Sequence, residues 1–198
     1  MLKKINGNED ELVQITPSKY FESYIHLTDA RVIFLNEVFV KETASTLSAW
    51  LLHYDHEDPE AEIIIYINSA GGEASALSNI YDIIQMISAP VKTVCLGKCY
   101  SAGAILLAAG AKGRRFILPH AEVMIHGIQC AFPTVEDNSP LDAKTYLTHL
   151  TNTNDNIMKI LAKHTGKTLA EVKKDCEKDL FLTPKQTVEY GIADYILI

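Results

Sequence analysis

The chain lacks most of the signals that mark the simplest functional classes. Its four cysteines, at 95, 99, 130 and 176, form no Cys-x-x-Cys pair and have no close histidine partner, so neither a zinc site nor a disulfide framework is indicated. They read as reduced thiols in a cytosolic setting. Long apolar runs are missing too: Ile63 to Ile67 and Ala102 to Ala109 are the longest, both too short for a bilayer, and residues 1–10 are polar. A soluble, unexported, cytoplasmic protein with no membrane partner is expected. Positive charge is scarce, with 18 Lys and Arg against 25 Asp and Glu, a net charge of −7, which argues against a nucleic-acid surface. No repeat, low-complexity tract or Gly/Ser linker divides the chain. Residues 21–198 therefore read as one domain, with 1–20 set apart as an N-terminal segment open to flexibility or processing. Neither G-x-x-x-x-G-K-[ST] nor G-x-G-x-x-G occurs, so no nucleotide cofactor is indicated. His53-Tyr54-Asp55-His56-Glu57 resembles a metal cluster in composition, but it closes a predicted helix just before Pro59 and reads as a solvated helix end, leaving no metal site.

What is present is an alternating α/β pattern in a chain with 47% apolar and 22% charged residues. Arg31 to Leu35 reads as a strand and Thr43 to Tyr54 as a helix with Leu47, Trp50, Leu51 and Tyr54 on one side. Ile63 to Ile67, a continuous β-branched run, predicts a strand covered on both faces. It stops at Asn68-Ser69-Ala70-Gly71-Gly72. A helix from about Glu73 to Ser88 follows, ended by Pro90, then a strand from Val91 to Leu96, which leads to Ser101 and the small-residue helix Ala104 to Gly110. Such a series implies right-handed crossovers over a parallel sheet, with both special turns at carboxyl ends of strands, where open α/β sheets place their sites. Arg115 to Leu118 and Val123 to Ile125 read as short strands. Leu147, Leu150, Asn154, Ile157, Met158 and Leu161 describe one long amphipathic helix over about 141–163. Two capped short helices begin at Thr168 and Thr183, and a strand from Ile192 to Ile198 closes the chain. A helix that long would expose its apolar stripe unless a second subunit covers it, so a homo-oligomer is predicted.

The chemistry concentrates at Cys99-Tyr100-Ser101-Ala102-Gly103, which sets a hydroxyl at a helix N-terminus, where unpaired amides and the helix dipole favour an oxyanion. Taken alone, the turn reads more simply as a serine N-cap. A serine nucleophile needs a base, and among seven histidines His126 stands out because it ends an apolar strand beside the glycine and serine turns. A hydrogen-bonded strand-end histidine is the plain alternative. Asp175 and Asp179 compete for the orienting acid; spacing alone does not choose, but the apolar Leu180-Phe181-Leu182 should draw Asp179 inward and favours it. Gly71-Gly72 serves either a tight turn or a close approach of backbone amides to a carbonyl oxygen; Gly72 with Ala102 would supply two oxyanion donors.

Tyr66-Ile67-Asn68-Ser69-Ala70-Gly71-Gly72, Ser101 through Gly110, Pro119 through His126, His164-Thr165-Gly166 and Asp179 through Leu182 together resemble the ClpP family, the proteolytic subunit of ATP-dependent Clp proteases, over residues 30–198. The resemblance implies a ClpP/crotonase-like fold of repeated ββα-type units with the long helix as a protruding handle. It implies two stacked seven-membered rings, a tetradecamer, and a serine endopeptidase with Ser101 as nucleophile, His126 as base and Asp179 as acid. Gly72 and Ala102 would bind the oxyanion through their amides. Substrates would be unfolded polypeptides delivered by an AAA+ unfoldase of the ClpX, ClpA or ClpC type, which uses the ATP; the chain itself would hold no cofactor.

The departures from the family pattern are specific. Ala70 stands for a usual Pro, Tyr100 for a small Ala, Ala102 for Met, and Lys178 for an arginine that helps join the rings, whose bidentate fork lysine cannot reproduce. His126 is followed by Gly127-Ile128-Gln129-Cys130-Ala131-Phe132-Pro133 rather than Gln-Pro and a glycine-rich strand. The residues before the first helix lack the usual Arg- and Gly-containing stretch. These changes motivate a second reading, a weakly active or non-catalytic ring subunit in a mixed particle with a paralogous subunit. A third keeps the fold for acyl-CoA chemistry with Glu73 as base.

Overall fold

Strand β3, Val91–Tyr100, is the hinge of the architecture, because it pairs with two different strands along one edge. The computed structural model describes residues 27–129 and 140–198. These fall in two units, of which Met1–Ala30 is represented by a helical turn at 27–29 and Arg31–Ile198 carries every strand described. Of the predicted N-terminal segment 1–20, nothing lies among the described residues.

In the second unit, β1 (Val32–Leu35), β2 (Ile63–Ser69), β3, β4 (Arg115–Ile117) and β7 (Tyr195–Ile196) lie side by side in that order, all parallel. Helix α1 (Lys41–Glu57) connects β1 to β2, α2 (Ala74–Met86) connects β2 to β3, and α3 (Ala102–Ala108) follows β3. The strand β5 (Glu122–Ile125) leaves this row: it runs parallel to the end of β3 and antiparallel to β6 (Leu180–Leu182). Helix α4 (Pro140–Thr165) precedes the short α5 (Leu169–Asp175), and α6 (Pro184–Tyr190) lies between β6 and β7. The described residues thus form the α/β architecture that the alternating sequence pattern predicts.

The predicted elements hold, with four corrections. The run from Ile63 is not covered equally on both faces: Ile63, Ile65 and Ile67 are fully buried while Ile64 and Tyr66 are only partly so, because the helices of this chain cover one side of β2. The third strand continues past Leu96 to Tyr100, and the last strand shrinks to two residues. In α1, Leu47, Leu51 and Tyr54 are buried, but Trp50 stays a third exposed, stacked on Tyr54. His53 meets Glu57 one turn on, and Asp55 accepts the amides of Ser88 and Ala89, a structural tie between α1 and the end of α2.

The core lies between the sheet and helices α1 to α4, with Leu51, Leu77, Ile80, Leu106, Leu107 and Met158 among its fully buried members. In α4, Ile157, Met158 and Leu161 join that core, whereas Leu147, near the other end, is 46% exposed. One buried cation ties this core to the long helix. The Arg115 guanidinium, 3% exposed, makes paired bonds to Asp194 at 2.9 and 2.6 Å. It also donates to the carbonyls of Ala108, His164 and Gly191, the C-terminal ends of α3, α4 and α6. Those carbonyls are left unpaired by the helices themselves, and the cation matches the negative end of each helix dipole. Burial pushes the Asp194 carboxyl up, but the hydrogen bond and charge of Arg115 outweigh it and hold the group below its ordinary value. Breaking a buried pair strands the other charge, so Asp194→Asn should lower unfolding free energy by about 3–5 kcal/mol in urea denaturation, and Arg115→Met should cost at least as much, since it strands Asp194 and leaves three helix-end carbonyls without their donor.

His164 accepts from or donates to Tyr81 Oη at 3.2 Å, and Lys163 donates to the same oxygen at 3.2 Å. Burial, then the charges of Lys163 and Arg115, lower the His164 pKa to about 4. Because the unfolded chain protonates this group near pH 6.5 and the folded chain only near 4, unfolding takes up a proton between these values. Stability should therefore decline as pH falls from about 6.5 toward 4, and His164→Gln should flatten that slope in denaturation midpoints measured across the window.

Candidate active site

The strand register brings three distant chain positions to one edge. Tyr100 pairs with Met124, and Ile125 pairs with Leu180. Ser101, His126 and Asp179 are each the next residue beyond these pairs. Since β5 is parallel to β3 and antiparallel to β6, the C-terminal ends of β3 and β5 and the N-terminal end of β6 coincide. His126 Nδ1 lies 3.2 Å from Asp179 Oδ1, the contact expected of the next cross-strand pair. Ser101 is fastened to the same strand by its amide, which donates to Met124 O at 2.8 Å.

Ser101 has φ 53° and ψ −118°, a conformation that side-chain-bearing residues rarely adopt and that costs on the order of 1–3 kcal/mol. It makes no side-chain cap hydrogen bond, so the N-cap reading does not describe it. A serine on a strained strand-to-helix turn presents its hydroxyl outward instead of folding it onto its own backbone. Two glycines permit the turn. A Cβ on Gly71 would fall 2.7 Å from Ser101 Cβ and 2.8 Å from the Tyr100 carbonyl, and Gly71 has φ 96°. Ser69 Oγ accepts the Gly71 amide and donates to the Glu37 carbonyl, fixing the approach.

Gly72 forms a parallel bridge with Phe39, through Phe39 N–H to Gly71 O and Glu73 N–H to Phe39 O. Such a bridge uses the groups on either side of Gly72 and leaves its own amide out of the ladder. Gly72 and Ala102 both line a cavity of about 330 Å³, together with Ser101 and His126. The floor is apolar, built from Leu77, Ile105, Ile125, Ile157 and Leu161. No hydrogen bond joins Ser101 Oγ to the imidazole among the described residues; catalytic contacts commonly tighten only with substrate in place.

Asp175 is engaged elsewhere, accepting from Tyr190 Oη at 3.0 Å. The structure thus places Asp179, not Asp175, against the imidazole, but not for the reason of burial: Asp179 is 46% exposed while His126 is 14% exposed. The β5–β6 pairing selects it. Sequence reasoning missed two further polar groups here. Gln129 Nε2 approaches the same Asp179 Oδ1 at 3.5 Å, and Asn154 Oδ1, on α4, accepts the Ile128 amide at 2.9 Å. Nothing in the spacing of the chain signals either contact.

Cys95, Cys99 and Cys176 are free and buried. Burial raises the thiols of Cys99 and Cys176, the latter to about 12, so both stay protonated and neither competes as nucleophile. Cys130 lies outside the described residues.

The α/β fold thus brings a hydroxyl on a strained strand-to-helix turn, an imidazole and a carboxylate to one sheet edge, beside a cavity with an apolar floor. The family model described as Clp protease matches residues 16–198, and the chain belongs to that family. No described helix is long and apolar enough to cross a membrane.

The turn makes a direct test possible. Gly71→Ala should cost about 2–4 kcal/mol, combining left-handed strain with a clash against Ser101 Cβ and the Tyr100 carbonyl. Gly113 has φ 80° but nothing within 4 Å of the place a Cβ would take, so Gly113→Ala should cost only about 1 kcal/mol. Urea denaturation of the two variants measures the difference.

Proposed function

We propose that this Clp-family chain is a serine endopeptidase subunit in which Ser101 attacks the scissile carbonyl, His126 takes and later returns the proton, and Asp179 holds the imidazole. The amides of Gly72 and Ala102 bind the oxyanion, a role in which a single donor is commonly worth about 3–4 kcal/mol of barrier. The observation that carries this reading is the His126–Asp179 contact at the rim of the cavity that Ser101 also lines. His126 Nδ1 facing the carboxylate leaves Nε2 for the hydroxyl, the tautomer a general base requires. Proton transfer from Ser101 to Nε2 accompanies formation of the carbon–oxygen bond; the protonated imidazole then gives its proton to the departing amine, and water repeats the cycle on the acyl-enzyme.

Family membership further supports ring assembly, with α4 as the handle through which rings join, and supply of unfolded polypeptide by an AAA+ unfoldase that uses ATP. The exposed Leu147 on the outer half of α4 is consistent with a surface that another subunit covers. The mixed-particle reading has one observation in its favour: in the altered segment after His126, the Gly127 and Ile128 amides are already bonded to Cys176 O and Asn154 Oδ1 and are not open to a substrate strand.

A fluorophosphonate probe with short fluorogenic peptides decides between them. Labelling of the purified chain that is abolished in Ser101→Ala, with peptide hydrolysis reduced at least about 10³-fold in that variant, is expected. Labelling seen only after mixing with a paralogue would favour the mixed particle, and no labelling in either sample would remove the peptidase assignment.

A further inference from the structure

Glu73 is the one titratable side chain, apart from His126, that lines the cavity among the described residues, and the mechanism gives it no task. It follows Gly72 directly, and its amide is spent on the Phe39 carbonyl at 2.7 Å, which fixes its backbone beside the oxyanion donors. It occupies the N-cap position of α2 yet makes no cap hydrogen bond, so its carboxylate is not committed to the helix. Its polar contact is with Ser75 Oγ at 3.4 Å, and no Lys, Arg or His forms an ion pair with it among the described residues. The remainder of the cavity offers aliphatic wall, from Leu77, Ile105 and Ile157 among others, and no cation.

We propose that Glu73 is a specificity-determining residue that favours substrates with a lysine or arginine side chain beside the scissile bond. The inference rests on the peptidase reading. Glu73 follows Gly72 directly, its Cα about 3.8 Å from that of the residue whose amide would hold the carbonyl, so its side chain starts beside the scissile bond. A long basic side chain suits both parts of this surface: its methylene stem lies along the aliphatic wall while its charged end reaches the rim. Bound substrate displaces water from the cavity, which strengthens the attraction beyond that of an open surface pair. An acidic residue at the same place would meet the unpaired carboxylate and be disfavoured.

The test uses the full chain and fluorogenic peptides that carry lysine, norleucine or glutamate at each position flanking the cleaved bond, with kcat/KM taken as ratios so that changes in overall rate cancel. At one flanking position the wild-type protein should prefer lysine over norleucine about fivefold or more. Glu73→Gln should bring that ratio near one, Glu73→Asp should retain part of it, and Glu73→Lys should invert it toward glutamate. The change should appear mainly in KM. Equal ratios in wild type and Glu73→Gln, with normal fluorophosphonate labelling of Ser101, would overturn the Glu73 assignment alone. Absence of labelling in the wild type would overturn the peptidase reading and the substrate preference with it.

Discussion

Strand β3 changes partner midway, and the arrangement of the site depends on that change. Through Thr93 to Cys95 it pairs with β4; through Lys98 to Tyr100 it pairs with β5. Between these stretches the register against β2 slips, since Ile67 faces Cys95 but Ser69 faces Cys99, so four steps of β3 span two steps of its neighbour. Gly97 sits in the slip, where a Cβ would come within 2.9 Å of Asn68 Oδ1, and the same oxygen accepts the Lys98 amide. An irregularity of this kind bends a strand and re-aims the residues beyond it. Without it, β3 would continue beside β4, and β5 and β6 would have no edge on which to add. The serine turn, the histidine and the aspartate would then have no common rim.

The local strain at Ser101 depends on the same frame. Its turn is held from three sides, by Met124 O on its amide, by the Gly71 backbone against its Cβ, and by the helix α3, every residue of which is buried. A conformation that costs a few kcal/mol persists only when neighbours over-determine it. Farther out, Arg115 gathers the ends of α3, α4 and α6, so the helix that starts at the strained serine is pinned at its other end to the sheet and to the long helix. The proposed catalytic geometry therefore draws on a buried ion pair on the far side of α3 as well as on its own contacts.

Hydrophobic period and turn chemistry were enough to place most elements. The β-branched run at Ile63, the stops at Gly71-Gly72 and Pro90, and the caps at Thr168 and Thr183 are local signals, and the caps form as capping boxes. Ser101 and His126 were legible because each follows an apolar strand. Asp179 was chosen over Asp175 by an argument from burial that the structure reverses, since the half-exposed carboxylate is the one that meets the imidazole. Pairing of β5 with β6 is a contact between segments more than fifty residues apart, and no local pattern encodes it. The slip in β3 was likewise hidden: Gly97 and Lys98 look like the end of a strand, and only the neighbouring Asn68 side chain carries the backbone across them.

The departures from the family pattern can be traced to their contacts. Tyr100 does not line the cavity; its ring meets Phe181 edge-on at 5.8 Å and its hydroxyl donates to Glu122 at 2.5 Å, a bond that raises the phenol pKa. A larger side chain is thus accommodated on the β3–β5–β6 surface rather than in the site. The residues after His126 behave differently. The Gly127 amide donates to Cys176 O and the Ile128 amide to Asn154 Oδ1, so both donors are already taken by α4 and the chain before β6. A substrate strand cannot pair with those two amides without displacing these bonds. Under the proposed peptidase reading, alignment of a polypeptide in this cavity would draw on the opposite wall, where Gly72 keeps its amide out of the ladder and Glu73 has no ion-pair partner among the described residues. With the Gly127 and Ile128 amides engaged and a carboxylate at the other wall, the proposed recognition depends less on backbone and more on side chains.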